Sequence, residues 1–262
     1  MKLYALVPVK SLFQAKSRLT DYLPLHRRQT LVLEMLQHVL QTLHESSVFA
    51  QIYVVSPDPV VLELAQHWSA EPLLETSAGH NPALETAARQ ILTRVAWREH
   101  ADISGHTTRW PGLTFRSLNA MKPEAQIGNL ITQTQQPGSP DSLLHDGQQH
   151  LHAHSDTGLL TISADLPLLT VEDIQALVQA GEHSQVVLAA SNDGTGTNAL
   201  LTRPPLVLPY LFGPDSLPTY VQTAREYNVS YQRLSRPNLA WDIDTPADVQ
   251  QLEKVGWSHQ LV

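Results

Sequence analysis

Leu3 to Val9 is a short apolar run, and Leu25 to His44 carries Leu31, Met35, Val39 and Leu43 at helical spacing. The two patterns then alternate. Ile52 to Val55 is apolar again, and Ser56-Pro57-Asp58-Pro59 supplies a capping residue and a proline for a helix to about Trp68. A weaker strand over Pro72 to Leu74 precedes a helix from about Asn81 to Trp97. Strand, helix, strand, helix is the signature of βαβ units, whose crossovers pair strands in parallel. The chain is therefore expected to be α/β with a mainly parallel sheet. Hydrophobic residues make up 42% and aromatics only 6%, which suits an aliphatic core between helices and sheet rather than a β-sandwich.

From about His100 to Thr157 the rhythm stops. The segment is rich in His, Gln, Ser, Gly and Pro and has little periodicity, so it reads as a polar, flexible insertion at about 98–157. Its histidines, such as His150, His152 and His154, read as a solvated tract. The rhythm resumes with a strand at Leu159 to Ser163 and a capping box, Thr170-Val171-Glu172-Asp173, that opens a helix. Strands follow at Val186 to Ala190 and Asn198 to Thr202, a helix at Ser216 to Tyr227, and an extended stretch at Val229 to Leu234. Thr245-Pro246-Ala247-Asp248 caps a last helix to about Lys254. We expect one domain over 1–255, interrupted by the insertion, and a tail at 256–262.

The formal net charge is −8, which argues against a general nucleic-acid binder. There is no Cys, so disulfides, thiolate chemistry and Cys-ligated metals are excluded. The first residues turn polar too soon for a signal peptide, and no apolar run reaches transmembrane length. A cytoplasmic protein with no membrane partner is expected.

In open α/β sheets ligands bind beyond the carboxyl ends of the strands. The loop after the first strand, PVKSLFQAKSRL, places Lys10, Lys16 and Arg18 within nine residues of an acidic chain. They can hold a triphosphate, or line a solvated loop. The usual Gly-rich phosphate fingerprints are absent from it. Asp165 in Ser163-Ala164-Asp165-Leu166-Pro167 ends an apolar strand among small and apolar neighbours. A carboxylate there needs a partner, either loop amides or a cation such as Mg²⁺. In Trp241-Asp242-Ile243-Asp244-Thr245, alternation turns Asp242 and Asp244 to one side. They repel unless a cation lies between them, although Asp244 can also serve the following helix N-terminus. Asp193-Gly194-Thr195-Gly196-Thr197-Asn198 and Phe212-Gly213-Pro214-Asp215-Ser216 are ordinary turns or, together, an anion cradle. Asn81 in Gly79-His80-Asn81-Pro82 is an N-cap or a contact to a nucleobase or ribose.

PVKSLFQAKSRL, SPDP, GHNPALETA, SADLPLLT, DGTGTNALL, FGPDSLP and DIDTPADV occur in the order seen in one family. Over roughly 1–97 and 158–255 the chain resembles the 2-phospho-L-lactate or phosphoenolpyruvate guanylyltransferases of coenzyme F420 biosynthesis, which are MobA-like nucleotidyltransferases. The resemblance implies a three-layer α/β/α domain. It implies GMP transfer from GTP to a phosphorylated three-carbon acid (2-phospho-L-lactate, phosphoenolpyruvate or 3-phosphoglycerate), pyrophosphate release and Mg²⁺. It also implies that Asp165 and Asp242 hold the metal, with Asp244 as the alternative second carboxylate. Thr197, Gly213 and Ser216 would hold the acid. Lys10, Lys16 and Arg18 fall in the triphosphate loop, Lys16 with a catalytic part, and Asn81 in the nucleoside stretch. A homodimer and a downstream enzyme of F420 biosynthesis are the protein partners in keeping with it. The insertion departs from the family pattern, as do Asp215 and Tyr220 where Gly and His are common. The readings that remain beside it are a related nucleotidyltransferase acting on a molybdopterin or sugar phosphate, a D-x-D glycosyltransferase built on Asp242 and Asp244, and a non-catalytic binding protein.

Overall fold

The computed structural model describes residues 2–104 and 157–257. In chain order the elements are β1 (Lys2–Pro8), a 3₁₀ turn (Ser17–Leu19), α1 (Leu25–Glu45), β2 (Gln51–Ser56), α2 (Pro59–His67), β3 (Glu71–Leu74), α3 (His80–Ser104) and β4 (Thr157–Ile162). Then come α4 (Val171–His183), β5 (Val186–Ala190), β6 (Thr197–Thr202), α5 (Ser216–Glu226), β7 (Tyr231–Leu234), α6 (Pro237–Ala240) and α7 (Pro246–Lys254). The helix expected to end at about Trp97 continues to Ser104. Most of the expected insertion lies outside the described residues. The chain divides into two units, Met1–Ile91 with His154–Val262, and Leu92–Ala153. Every candidate site residue belongs to the first.

The sheet has seven strands in the order β3-β2-β1-β4-β6-β5-β7. β1 pairs in parallel with both β2 and β4, β2 with β3, and β5 with β7. Only β6 runs antiparallel to its neighbours, β4 and β5. The sheet is mixed but mostly parallel.

Alternation along the strands builds two apolar layers. Leu3, Ala5 and Val7 of β1 join Val54, Leu160, Ile162, Val187 and Leu201 in a cluster with α1, α2, α4, α6 and α7. Tyr4, Leu6, Tyr53, Leu159, Leu188 and Leu200 are also buried but lie outside that cluster. So do the buried faces of α3 (Leu84, Ala88) and α5 (Leu217, Tyr220). Each fully buried Leu stabilises the fold by roughly 1.5–3 kcal/mol. This is the arrangement of helices on both sheet faces that alternating elements require.

The caps hold where the residues call for them. Asp58 accepts from Val60 N as N-cap of α2, with Pro59 behind it. Thr170 with Asp173, and Thr245 with Asp248, form the two reciprocal capping boxes. These caps matter to the site, because three of them sit at the carboxyl edge of the sheet. Asp58 Oδ2 also accepts from Leu12 N, pinning the loop after β1, and Asp248 Oδ2 also accepts from Asp244 N.

Candidate active site

The strand order sets the place. From β1 the chain steps outward to β2 and β3, then returns to β4 on the other side of β1. The loops after β1 and β4 therefore diverge from the sheet side by side, which opens a crevice at their carboxyl ends. β6 is antiparallel, so its start, not its end, lies at this edge; Ser163 N donates to Asn198 O at 2.9 Å. A cleft of about 360 Å³ opens there, lined by Lys10, Lys16, Arg18, His80, Asp165, Phe212 and Asp244 among others.

Asp165 has the partner its apolar surroundings demand, and that partner is Lys16. Lys16 Nζ donates to Asp165 Oδ2 at 2.5 Å and to Asp244 Oδ1 at 3.0 Å. Its side chain is only 7% exposed, so a bare ammonium there would be costly. Burial pulls its proton affinity down, but the Asp165 and Asp244 carboxylates outweigh burial and hold it above the ordinary lysine value. Lys16 itself takes a left-handed backbone conformation, φ 53°, at the head of the 3₁₀ turn. Arg18, far more exposed, donates to the other oxygen of Asp244 at 3.0 Å. Two of the three cations expected to face phosphates are thus ion-paired to carboxylates. Lys10 is exposed on the cleft wall.

Asp242 meets a neutral amide, Asn198 Nδ2, at 3.2 Å. Its carboxyl is pushed up to about 6, first by burial and then by the Asp165 carboxylate; the Asn198 bond opposes this, and Asp244 adds to it. Asp165, Asp242 and Asp244 each offer an oxygen, and these lie within 4.8 Å of one another. The fit to a divalent cation follows from charge and donor type. Asp165 and Asp244 share one buried ammonium and one exposed guanidinium, and Asp242 beside them is bonded to a neutral amide, with its carboxyl raised by burial and by the Asp165 carboxylate. Hard oxygen donors suit Mg²⁺. Asp242 and Asp244 belong to the same group of carboxylates.

Thr197, Gly213 and Ser216 also come together. Ser216 Oγ donates to Thr197 Oγ1 at 3.1 Å, both residues buried, and Ser216 N donates to Gly213 O. Leu217 N donates to Thr195 O, which fastens the first turn of α5 to the loop before β6. Gly213 has φ 138° and open space where a side chain would go. Gly196 is required for a different reason: a Cβ there would lie 2.7 Å from Ser191 Oγ. Asp193 braces this loop by accepting from Ser191, Thr195 and Gly196, and those bonds hold its carboxyl well below the usual range.

Asn81 is not an N-cap, since α3 already begins at His80. Its amide donates to Phe212 O and accepts from Phe212 N, both at 3.0 Å. It clamps the FGPDS loop, with both ends of the amide engaged. Phe212 is ringed by aromatic side chains: stacked with Tyr210 and edge-on to His80 and Tyr220. Tyr220 accepts from Leu211 N, and Tyr210 shares a hydrogen bond with Thr161 on β4. Sequence reasoning missed this aromatic wall, the Lys16–Asp165 pair and the part of Asn198. The only signal for Asn198 was a lone amide opening the apolar run Ala199-Leu200-Leu201.

The family described as "Guanylyl transferase CofC like" matches residues 3–99 and 143–257. This chain belongs to that family. A phosphoenolpyruvate guanylyltransferase of Rubrobacter xylanophilus is 32% identical over 98% of this chain and 96% of its own length. A 3-phospho-D-glycerate guanylyltransferase of Colwellia psychrerythraea is 26% identical over 96% of this chain and 91% of its own. Family membership makes the chain an enzyme, a nucleotidyltransferase. Among solved structures, a Desulfovibrio desulfuricans G20 protein assigned as a nucleotide-diphospho-sugar transferase superposes with TM-score 0.62, at 14% identity, over 98% of this chain and 88% of that one. That likeness concerns the fold alone. No helix among the described residues is long and apolar enough to cross a membrane.

Proposed function

We propose that this enzyme transfers GMP from GTP to the phosphate of a three-carbon acid, phosphoenolpyruvate, 3-phosphoglycerate or 2-phospho-L-lactate, with release of pyrophosphate, and that it serves coenzyme F420 biosynthesis. The observation that carries the reading is the Asp165, Asp242 and Asp244 cluster beside the basic loop after β1, at the crevice between β1 and β4. The named activities of the relatives support phosphoenolpyruvate and 3-phosphoglycerate as acids, and the motif resemblance adds 2-phospho-L-lactate.

An oxygen of the acid's phosphate attacks the α-phosphorus of GTP in line. A new P–O–P bond forms, the bond from the α-phosphorus to the bridging oxygen breaks, and pyrophosphate leaves with that electron pair. The nucleophile belongs to the substrate, so no covalent enzyme intermediate is needed, and catalysis is positioning and charge neutralisation. Asp165, Asp242 and Asp244 would hold Mg²⁺, which when bound withdraws charge from phosphoryl oxygens. Lys10 lines the cleft and offers its charge to the β- and γ-phosphates. Lys16 and Arg18 line the same cleft and would bring their charge to phosphate oxygens of the nucleotide. Thr197, Ser216 and the open side of Gly213 would seat the acid, where hydroxyl and backbone donors can bind its carboxylate.

The test is pyrophosphate release with GTP, CTP or ATP against the three acids and a sugar phosphate. GTP with one of the acids is expected to dominate. Release only with a sugar phosphate, or only with CTP, would place the enzyme elsewhere in its fold class. Ser216→Ala is expected to raise KM for the acid about tenfold, the worth of one hydrogen bond to a charged group, with KM for GTP unchanged. Equal rises in both would remove Ser216 from the acid site.

A further inference from the structure

We infer that Asn198 is a positioning residue that sets the Asp165 loop and the Asp242 loop in register with each other. The inference rests on the metal-binding reading of the carboxylates. Asn198 is the second residue of β6, whose antiparallel direction brings its start to the carboxyl edge. It is 5% exposed, at a point where the strand continues as Ala199, Leu200 and Leu201. An amide buried there without hydrogen bonds would cost about 1–3 kcal/mol, so its bonds explain its presence.

Those bonds reach both metal loops. The backbone carbonyl of Asn198 accepts from Ser163 N at 2.9 Å, two residues before Asp165. The side-chain nitrogen donates toward Ala240 O at 2.9 Å, Leu239 O at 3.2 Å and Asp242 Oδ1 at 3.2 Å. Leu239 and Ala240 close α6, where carbonyls lack partners within the helix. Asn198 therefore caps α6 from outside and holds the carboxylate two residues beyond it. Ile243 N completes the circuit by donating to Asp165 O at 3.3 Å. Asn198 touches neither cation, so its effect on the site runs through Asp242.

A cap that only stabilised α6 would shift stability alone. A positioning residue shifts metal affinity, and outer partners of ligands typically account for about 10–100-fold of it. The experiment is an EPR titration of the full chain with MnCl₂ alone, for wild type, Asp165→Asn and Asn198→Ala, followed by turnover at rising Mg²⁺. Asn198→Ala is expected to bind Mn²⁺ about tenfold more weakly, to recover turnover at high Mg²⁺ and to keep its KM for the acid. Wild-type Mn²⁺ affinity in Asn198→Ala, or a loss of turnover that Mg²⁺ does not restore, would overturn the inference while the metal reading stands. Absence of Asp165-dependent Mn²⁺ binding in the wild type would overturn both. Should Asn198→Ala not fold, Asn198→Leu keeps the volume, removes the donors and is read by the same two outcomes.

Discussion

Asp242→Asn is expected to make the metal-free protein more stable above pH 6 and to lower its turnover about 100- to 1,000-fold. The stability change follows from linkage. In the folded protein the Asp242 carboxyl is pushed up to about 6 by burial and its carboxylate neighbours. The folded state thus holds this proton more tightly than the unfolded chain. Wild-type stability therefore falls as pH rises from about 4 to 6, and the full cost is present above that window. About two units correspond to about 2.7 kcal/mol, which partial solvent screening reduces to about 1–2 kcal/mol. Asparagine keeps the oxygen that accepts from Asn198 and removes the charge. In thermal melts without metal, the variant should melt a few degrees above wild type at about pH 7.5 and level with it near pH 4. Saturating Mg²⁺ should reverse the order at neutral pH, because only the wild type gains the ion as a partner. An Asp242→Asn protein that is less stable than wild type at neutral pH without metal would show that the cluster is not short of positive charge.

Lys16→Met is expected to act in the opposite direction on stability. It removes the ammonium that joins Asp165 and Asp244 and leaves three carboxylates around a partly buried space. Breaking a fully buried pair from one side costs about 3–5 kcal/mol. The exposure of Asp165 and Asp244 brings the expected loss to about 2 kcal/mol. Turnover should fall at least about 100-fold, since a charge-assisted contact to the phosphates goes with it. Mn²⁺ without nucleotide should bind more tightly to the variant than to wild type, because no internal cation competes for the same oxygens. Melting temperature with and without Mn²⁺ reads both effects together. A variant with unchanged stability and unchanged Mn²⁺ affinity would contradict the ion pairs as described.

The strand–helix rhythm was legible because each element buries one face, and burial writes periodicity into the chain. The capping boxes at Thr170 and Thr245 were legible because they are local, four residues each. Asp165 was legible as a carboxylate in need of a partner. That the partner is Lys16 was not, since 149 residues separate them and only the return of the chain from β3 to β4 makes them neighbours. The same holds for Asn198 and Asp242, and for Asn81, whose clamp on Phe212 spans 131 residues. Asn81 illustrates the limit in another way: as an amide before a proline at a helix start it satisfies every local rule for an N-cap. The tertiary partner, not the local pattern, decides its part. The short α6 before Asp242 also carried too few residues to show a period.

We propose that the carboxylate cluster and the basic loop serve guanylyl transfer to the phosphate of a small acid. ³¹P NMR of the reaction tests it most directly, with GTP, Mg²⁺ and each of the three acids, and with Asp165→Asn as control. The predicted result is a new pair of mutually coupled diphosphate resonances growing in step with pyrophosphate for at least one acid, with neither appearing in the control. GTP consumed to inorganic phosphate or to pyrophosphate and free GMP, with no coupled product for any acid, would contradict the account.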